Sequence, residues 1–276
     1  MADISLPDLS TLKIAYNLLW IPVDFPADNA YDRKTFGALY GAFHVEPQPT
    51  EPFHQPIPQK TLENMLHIVE QKPSASVRLW VDSKRLTPTQ MDQLTEIIEQ
   101  SPADNLKLLD LRSIGEYKND RFYNEPQLAP GWGMDKNSWI WRQVDAAKLL
   151  ICLQGDYDQV FYSDGDMTNL VVAFKEIQTP LAKHGVLFRG GTMPSSGSVF
   201  FENQLFGFSR RRKAMFEQLY RQTIDESKRS GMNGYGPYID FIRRISISEG
   251  FDVREVLFDA EHDGTSAYHP RGPNRY

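Results

Sequence analysis

A single cysteine, Cys152, stands in 276 residues, so no disulfide can form within the chain. It lies in the apolar run from Leu149 to Leu153 and reads as a core residue, not a nucleophile. No run of 18 apolar residues occurs, which excludes a transmembrane helix. The opening MADISLPDLS is polar and acidic, unlike a conventional signal peptide. A reducing cytosol is the expected setting. Positive charge is also short, with 30 Lys and Arg against 36 Asp and Glu and a net charge of −6. That balance gives no general case for nucleic-acid binding. An anionic ligand would have to be met by a local cation or a metal. Internal repeats and low-complexity tracts are missing; the nearest case is Pro47–Gln59, which reads as an exposed loop, placed at about residues 44–60.

What the chain does have is an acidic turn after an apolar strand, Gln159-Val160-Phe161-Tyr162-Ser163-Asp164-Gly165-Asp166-Met167. Residues i and i+2 leave an extended chain on one side, so Asp164 and Asp166 can point at one spot. Two such carboxylates repel, and a hard divalent cation such as Mg²⁺ or Mn²⁺ relieves the repulsion. Gly165 would let a bulky anion approach the backbone. The bland alternative is an ordinary turn rich in Asp and Gly.

The rest of the chain alternates strands and helices. Leu12–Ile21 predicts a buried first strand ending near Trp20, a core residue or a stacking surface for a nucleobase. Phe36, Leu39, Tyr40 and Phe43 have helical spacing. Thr61–Gln71 predicts a helix, Val77–Asp82 a strand, Pro88–Gln100 a helix and Leu106–Leu111 a third strand. The stretch at about 115–137 is irregular and could help cover a site, and a helix capped by Ser138 runs to Leu153. Further helices are expected at Thr168–Gln178, Phe208–Ser227 and Pro237–Ile245, and strands at Gly185–Phe188, Ser198–Phe201 and Val253–Phe258. The pattern predicts one α/β domain over 1–276 with a mixed, mostly parallel sheet flanked by helices. Ligands of such sheets sit beyond the carboxyl ends of the strands, where Trp20, Asp82 and Asp164 fall. Asp145 and Lys148 form an i,i+3 pair, either a surface ion pair or two ligand-facing groups, with Asp145 on sugar hydroxyls and Lys148 on a phosphate. The basic run Arg210–Lys213 reads as a solvated face, with an acidic partner or peripheral contact with anionic lipid as the alternative.

In their order these motifs resemble the metal-dependent glycosyltransferases of the GT-A fold that carry an Asp-X-Asp motif. The subgroup is that of bacterial toxin and effector enzymes such as the large clostridial glucosylating toxins. Their opening strand ends in a pattern like His-Phe-Val-Trp-Ile-Gly, here Asn17-Leu18-Leu19-Trp20-Ile21-Pro22, so Trp20 would stack on uracil. The second strand resembles Leu79-Trp80-Val81-Asp82-Ser83, which brings Asp82 to the donor. Their Ala-Ser-Asp-Ile-Leu-Arg helix is similar to Val144-Asp145-Ala146-Ala147-Lys148, with Asp145 on the donor sugar and Lys148 in place of Arg. Their Tyr-Leu-Asp-Val-Asp-Met strand matches Tyr162 to Met167, and their Ser-Gly-Pro helix entry matches Tyr235-Gly236-Pro237. Their C-terminal Glu-x-x-Ser-x-Trp is similar to Asp263-Gly264-Thr265-Ser266-Ala267-Tyr268, with Asp for Glu and Tyr for Trp.

The resemblance implies transfer of a sugar from a nucleotide sugar, UDP-linked, to an acceptor that could be a protein, with retention of configuration. It implies Asp145, Asp164 and Asp166 as catalytic groups. It implies Mn²⁺ or Mg²⁺ held by Asp164, Asp166, Asp263 and Ser266. Trp20, Asp82, Asp145, Lys148, Gly165, Ser266 and Tyr268 would bind the donor, with the tail 259–276 closing over the site. It extends the expected cytoplasmic setting to delivery into another cell. Two alternatives stand beside it. One is a phosphatase of the haloacid dehalogenase type with Asp164 as nucleophile, suggested by Asp164-Gly165-Asp166-Met167-Thr168. The other is a nucleotide-sugar-binding protein without turnover.

Overall fold

The computed structural model describes residues 11–21, 57, 59–124, 136–165, 174–192, 199–230 and 235–258. Seven strands form one mixed sheet in the order β3-β2-β1-β4-β6-β5-β7. They are β1 (Ile14–Trp20), β2 (Ser76–Val81), β3 (Leu106–Asp110), β4 (Gln159–Ser163), β5 (Val186–Thr192), β6 (Val199–Ser209) and β7 (Leu257–Phe258). The first four pair in parallel, β6 runs antiparallel between β4 and β5, and β7 joins β5 in parallel.

Between β1 and β2 lies α1 (Gln59–Gln71), and α2 (Pro88–Gln100) leads to β3. The short α3 (Gly115–Asn119) and α4 (Arg121–Asn124) precede α5 (Lys136–Cys152), so the stretch expected to be irregular is partly helical. Beyond β4 follow α6 (Phe174–His184), α7 (Lys213–Ser230) and α8 (Tyr235–Glu249).

Side-chain alternation along the strands divides the core in two. Tyr16, Leu18 and Trp20 of β1 join Met65, Ile68 and Leu94 on the face covered by α1 and α2. On the other face Val160 and Tyr162 of β4 pack with Leu149, Leu150 and Cys152 of α5 and with Phe216 of α7. Burial on both faces is why the strands read as nearly continuous apolar runs. Cys152 is buried, as its sequence context predicts, and burial pushes its thiol pKa far up.

Three departures from expectation have a clear local cause. Helix α6 continues past Gln178 to His184 with Pro180 inside it, because Ile177 and Leu181 fall on one buried face. It ends at Gly185, whose positive φ of 75° lets its N–H turn back to the carbonyls of Pro180 and Leu181. The last expected strand is instead a 3₁₀ turn, Val253–Val256, followed by the two residues of β7.

The third difference concerns the basic run. Phe208 begins no helix; it belongs to the eleven-residue β6, where Phe206 and Phe208 both stack on Phe216. Arg210–Arg212 then forms a 3₁₀ turn, and its cations are occupied within the protein. Arg210 pairs with Asp156 and Asp158 at 3.3 and 3.2 Å. Arg211 donates to the carbonyl of Lys183 at 2.8 Å, and Arg212 to that of His184 at 2.8 and 3.0 Å. Arg212 also pairs with Glu249, and Lys213 donates to the carbonyl of Gly155 at 2.9 Å. The run closes the carbonyl end of α6, where the helix dipole favours positive charge.

Candidate active site

The parallel strands β1, β2, β3 and β4 all finish at one edge of the sheet, where Trp20, Asp82 and Asp164 stand. Asp164 follows the last residue of β4. Its N–H donates to the carbonyl of Gln204 on β6 at 2.7 Å. One carboxylate oxygen accepts the Tyr162 hydroxyl at 2.5 Å and stands 3.0 Å from the Lys148 ammonium. The other accepts from Lys148 at 3.3 Å.

Lys148 comes from α5, one turn after Asp145, and is 3.9 Å from the Asp145 carboxylate. Its side chain is only 8% exposed, and it lies over the Tyr162 ring at 5.3 Å. One ammonium therefore lies between two acids delivered by different elements. The pairing of Lys148 with Asp145 is therefore not a surface ion pair: the ammonium is nearly buried and also faces a second acid.

Asn203 completes the cluster. Its amide donates to Asp145 at 2.6 Å, and its carbonyl oxygen is 3.5 Å from Lys148. A strand irregularity places it there. The pairing of β5 with β6 steps from Phe188↔Phe206 to Arg189↔Glu202, so Asn203, Gln204 and Leu205 have no partner on β5. Leu205 still pairs with Ser163 on β4. Such extra residues bend a strand and redirect its side chains. Beside the irregularity Arg189 is buried and bonded to Glu202 and Gln204. Asn203 and Tyr162 were not singled out from the sequence. The polar run Glu202-Asn203-Gln204 interrupting an aromatic strand was the signal available for Asn203.

Burial raises the pKa of Asp145 to about 6, although Lys148 and Asn203 oppose the rise. The cluster thus offers two carboxylates in unlike settings, an ammonium and an amide, a set suited to gripping several hydroxyl groups. Asp164 and Lys148 are brought together with Asp145.

Trp20 lies on the opposite face of the sheet, at the end of β1, and is 8% exposed. It borders a cavity of about 370 Å³ whose other walls include Ile57, Leu62, Gln90, Leu94 and Ile97. The β1–β4 register, Asn17↔Tyr162 at its last recorded step, sets the ends of these two strands side by side. Thr61, next to Leu62 on α1, rests against Gly165.

Two residues have surroundings other than those expected. A Cβ on Gly165 would lie 2.4 Å from the methyl and hydroxyl of Thr61. The glycine makes room for a protein side chain. Asp82 is wholly buried. Arg112 grips it with two bonds of 2.7 Å, Tyr117 donates at 3.0 Å and the Lys84 N–H at 3.1 Å. Burial pushes this carboxyl up, but the Arg112 guanidinium and the other donors outweigh it and leave the pKa below the ordinary range. All of Asp82's acceptor capacity is taken within the protein, so it ties β2 to the Leu111–Ser113 turn and to α3. Asp82→Asn takes the counter-charge from the partly buried Arg112 and leaves donors facing one another around a buried amide, and a loss of about 1–3 kcal/mol is expected from such unsatisfied groups. Urea melts of the variant check this.

Asp166, Asp263, Ser266 and Tyr268 lie outside the described residues, as do the helical spacing at Phe36–Phe43 and the tail 259–276. No group of three or more potential metal ligands occurs among the described residues. Nor does Asp164 by itself fit a divalent ion. A cation held at about 2.0–2.6 Å from its oxygen would face the ammonium of Lys148. No helix among the described residues is long and apolar enough to cross a membrane.

No protein-family model matches the sequence, and no curated protein matches it. Solved structures do. One, of PaToxG glycosyltransferase, shares 12% identity at a TM-score of 0.51, over 86% of this chain and 70% of that one. Another, described as a transferase, shares 12% identity at a TM-score of 0.51, over 90% of each chain. At such identity the likeness is one of fold. The mixed sheet with its flanking helices is the GT-A type of glycosyltransferase fold.

Proposed function

We propose that the protein transfers a sugar from a nucleotide sugar, UDP-linked, to an acceptor that could be a protein. The observation that carries this reading is the Asp145–Lys148–Asp164 cluster, with Asn203, at the strand-end edge of a glycosyltransferase-type fold.

Trp20, Asp145, Lys148, Asp164 and Asn203 each have a task in this reading. The base stacks on Trp20 at its cavity. The donor runs past the first turn of α1 to the cluster on the other side of the sheet edge. Asp145 and Asn203 accept from and donate to sugar hydroxyls, and Asp164 accepts from a hydroxyl of the sugar or the ribose. Lys148 fixes both acids and supplies positive charge that offsets the charge developing on the departing diphosphate, an effect that a shielded site magnifies. Mn²⁺ or Mg²⁺ is assigned to Asp166 with Asp263 and Ser266, and Tyr268 to the cover of the donor. No step above depends on them. Retention of configuration and delivery into another cell follow the sequence resemblance alone.

The test is release of the nucleoside diphosphate from a panel of nucleotide sugars, with and without Mn²⁺. Wild type is compared with the Asp164→Asn, Asp166→Asn double variant. Release by wild type and not by the variant is expected, and equal rates would end the reading. A trapped aspartyl-phosphate on Asp164 would point to the phosphatase instead. Tight binding of UDP without release would point to a non-catalytic binder.

A further inference from the structure

We infer that Asn64, supported by Thr61, is a positioning residue for the acidic turn that follows β4. This rests on the reading of the site as one for sugar transfer.

The turn is held from two sides. On one, Asp164 is fixed by Lys148, Tyr162 and the Gln204 carbonyl. On the other stands α1. The Asn64 side-chain amide donates to the Gly165 carbonyl at 2.8 Å, across 101 residues of sequence. Three residues earlier on the helix, and so on the same face, the buried Thr61 fills the space where Gly165 has no side chain. The bonded carbonyl belongs to the peptide unit that joins Gly165 to Asp166. Peptide units are planar, so Asn64 fixes the plane of the peptide that leaves Gly165.

Among the described residues, the bond to Gly165 is the one that the Asn64 side chain makes. Asn64 is half-buried and belongs to neither apolar cluster; Met65, Ile68 and Val69 anchor α1 to the sheet. A half-exposed amide can satisfy itself with water at little cost. Its bond to this one carbonyl is therefore a means of orienting the turn more than of holding the fold together.

Asn64→Asp keeps the shape and removes the donor; Asn64→Ala removes both. In each, the peptide covering residues 159–167 is expected to exchange amide hydrogens about fivefold faster, with β2 and α5 unchanged. The kcat for sugar transfer or donor hydrolysis is expected to fall about tenfold while KM for the donor stays within about twofold, as for misplaced reacting groups. Unchanged exchange at the turn in both variants overturns the inference, and so does a loosened turn with unchanged kcat. Should wild type release no sugar from any donor, the functional reading fails by itself, and the exchange data still decide whether Asn64 holds the turn.

Discussion

Lys148→Met is expected to lower sugar transfer about 10³-fold, the scale of removing a preorganised electrostatic donor from an active site. Methionine keeps the length and apolar stem of lysine, so packing on the Tyr162 ring persists and the loss reports the charge. Lys148 faces Asp145 and Asp164 at once. Without it, two carboxylates share a largely enclosed edge with no cation between them. The same variant carries a stability signature. A carboxyl whose folded pKa lies above its unfolded value stabilises the native state most at low pH. That stabilisation is lost as pH rises through the folded pKa. Asp145 already has its pKa raised to about 6 by burial, and losing Lys148 raises it further. Lys148→Met should therefore melt lower than wild type at pH 7.5 and approach it at pH 5. Single-turnover rates and thermal melts at the two pH values check both halves. A variant with unchanged turnover would remove Lys148 from the mechanism.

Asp145→Asn is expected to reduce kcat about 10²-fold at pH 7.5 and to change the pH profile. In wild type the acid limb should fall below an apparent pKa of about 6, the value to which burial lifts Asp145, because only the ionised carboxylate both pairs with Lys148 and accepts from sugar hydroxyls. The asparagine variant has no such group to titrate, so that limb should move to lower pH. The variant should also lose the part of the pH dependence of stability that lies between the ordinary Asp value of 3.8 and about 6. A profile of kcat/KM from pH 4.5 to 8 distinguishes this from a general loss of activity; an acid limb left at its wild-type position would mean that another group carries it.

Much of the fold is legible in the sequence because it is written as periodicity. The runs at Ile14–Trp20, Ser76–Val81 and Gln159–Ser163 are apolar on both faces, and the helices between them carry one apolar stripe. The same periodicity misleads at Phe208. There a polar, basic sequence looks helical, and only the stack of Phe206, Phe208 and Phe216 shows that the strand runs on to Ser209. At the site, Asp145, Lys148 and Asp164 could be named because each has a distinctive neighbourhood in the chain. Asn203 could not, since what brings it to Asp145 is a slip in strand pairing, which leaves no periodic trace. Gly165 and Asp82 were noticed for good reason, but their neighbours within the protein were not foreseen. Sequence shows that a glycine leaves space and that an acid carries charge, but not that Thr61 and Arg112 occupy those places.

The slip between β5 and β6 also bears on how this site could change over time. A side chain in a regular ladder is answerable to neighbours on both flanks, and replacing it disturbs the register. Of the three residues in the slip only Leu205 pairs with β4, and Asn203 is in register with neither neighbouring strand. Natural variation at position 203 could therefore retune which hydroxyl pattern is preferred while the architecture stays as it is, making this short detour the natural place for new donor preferences to arise.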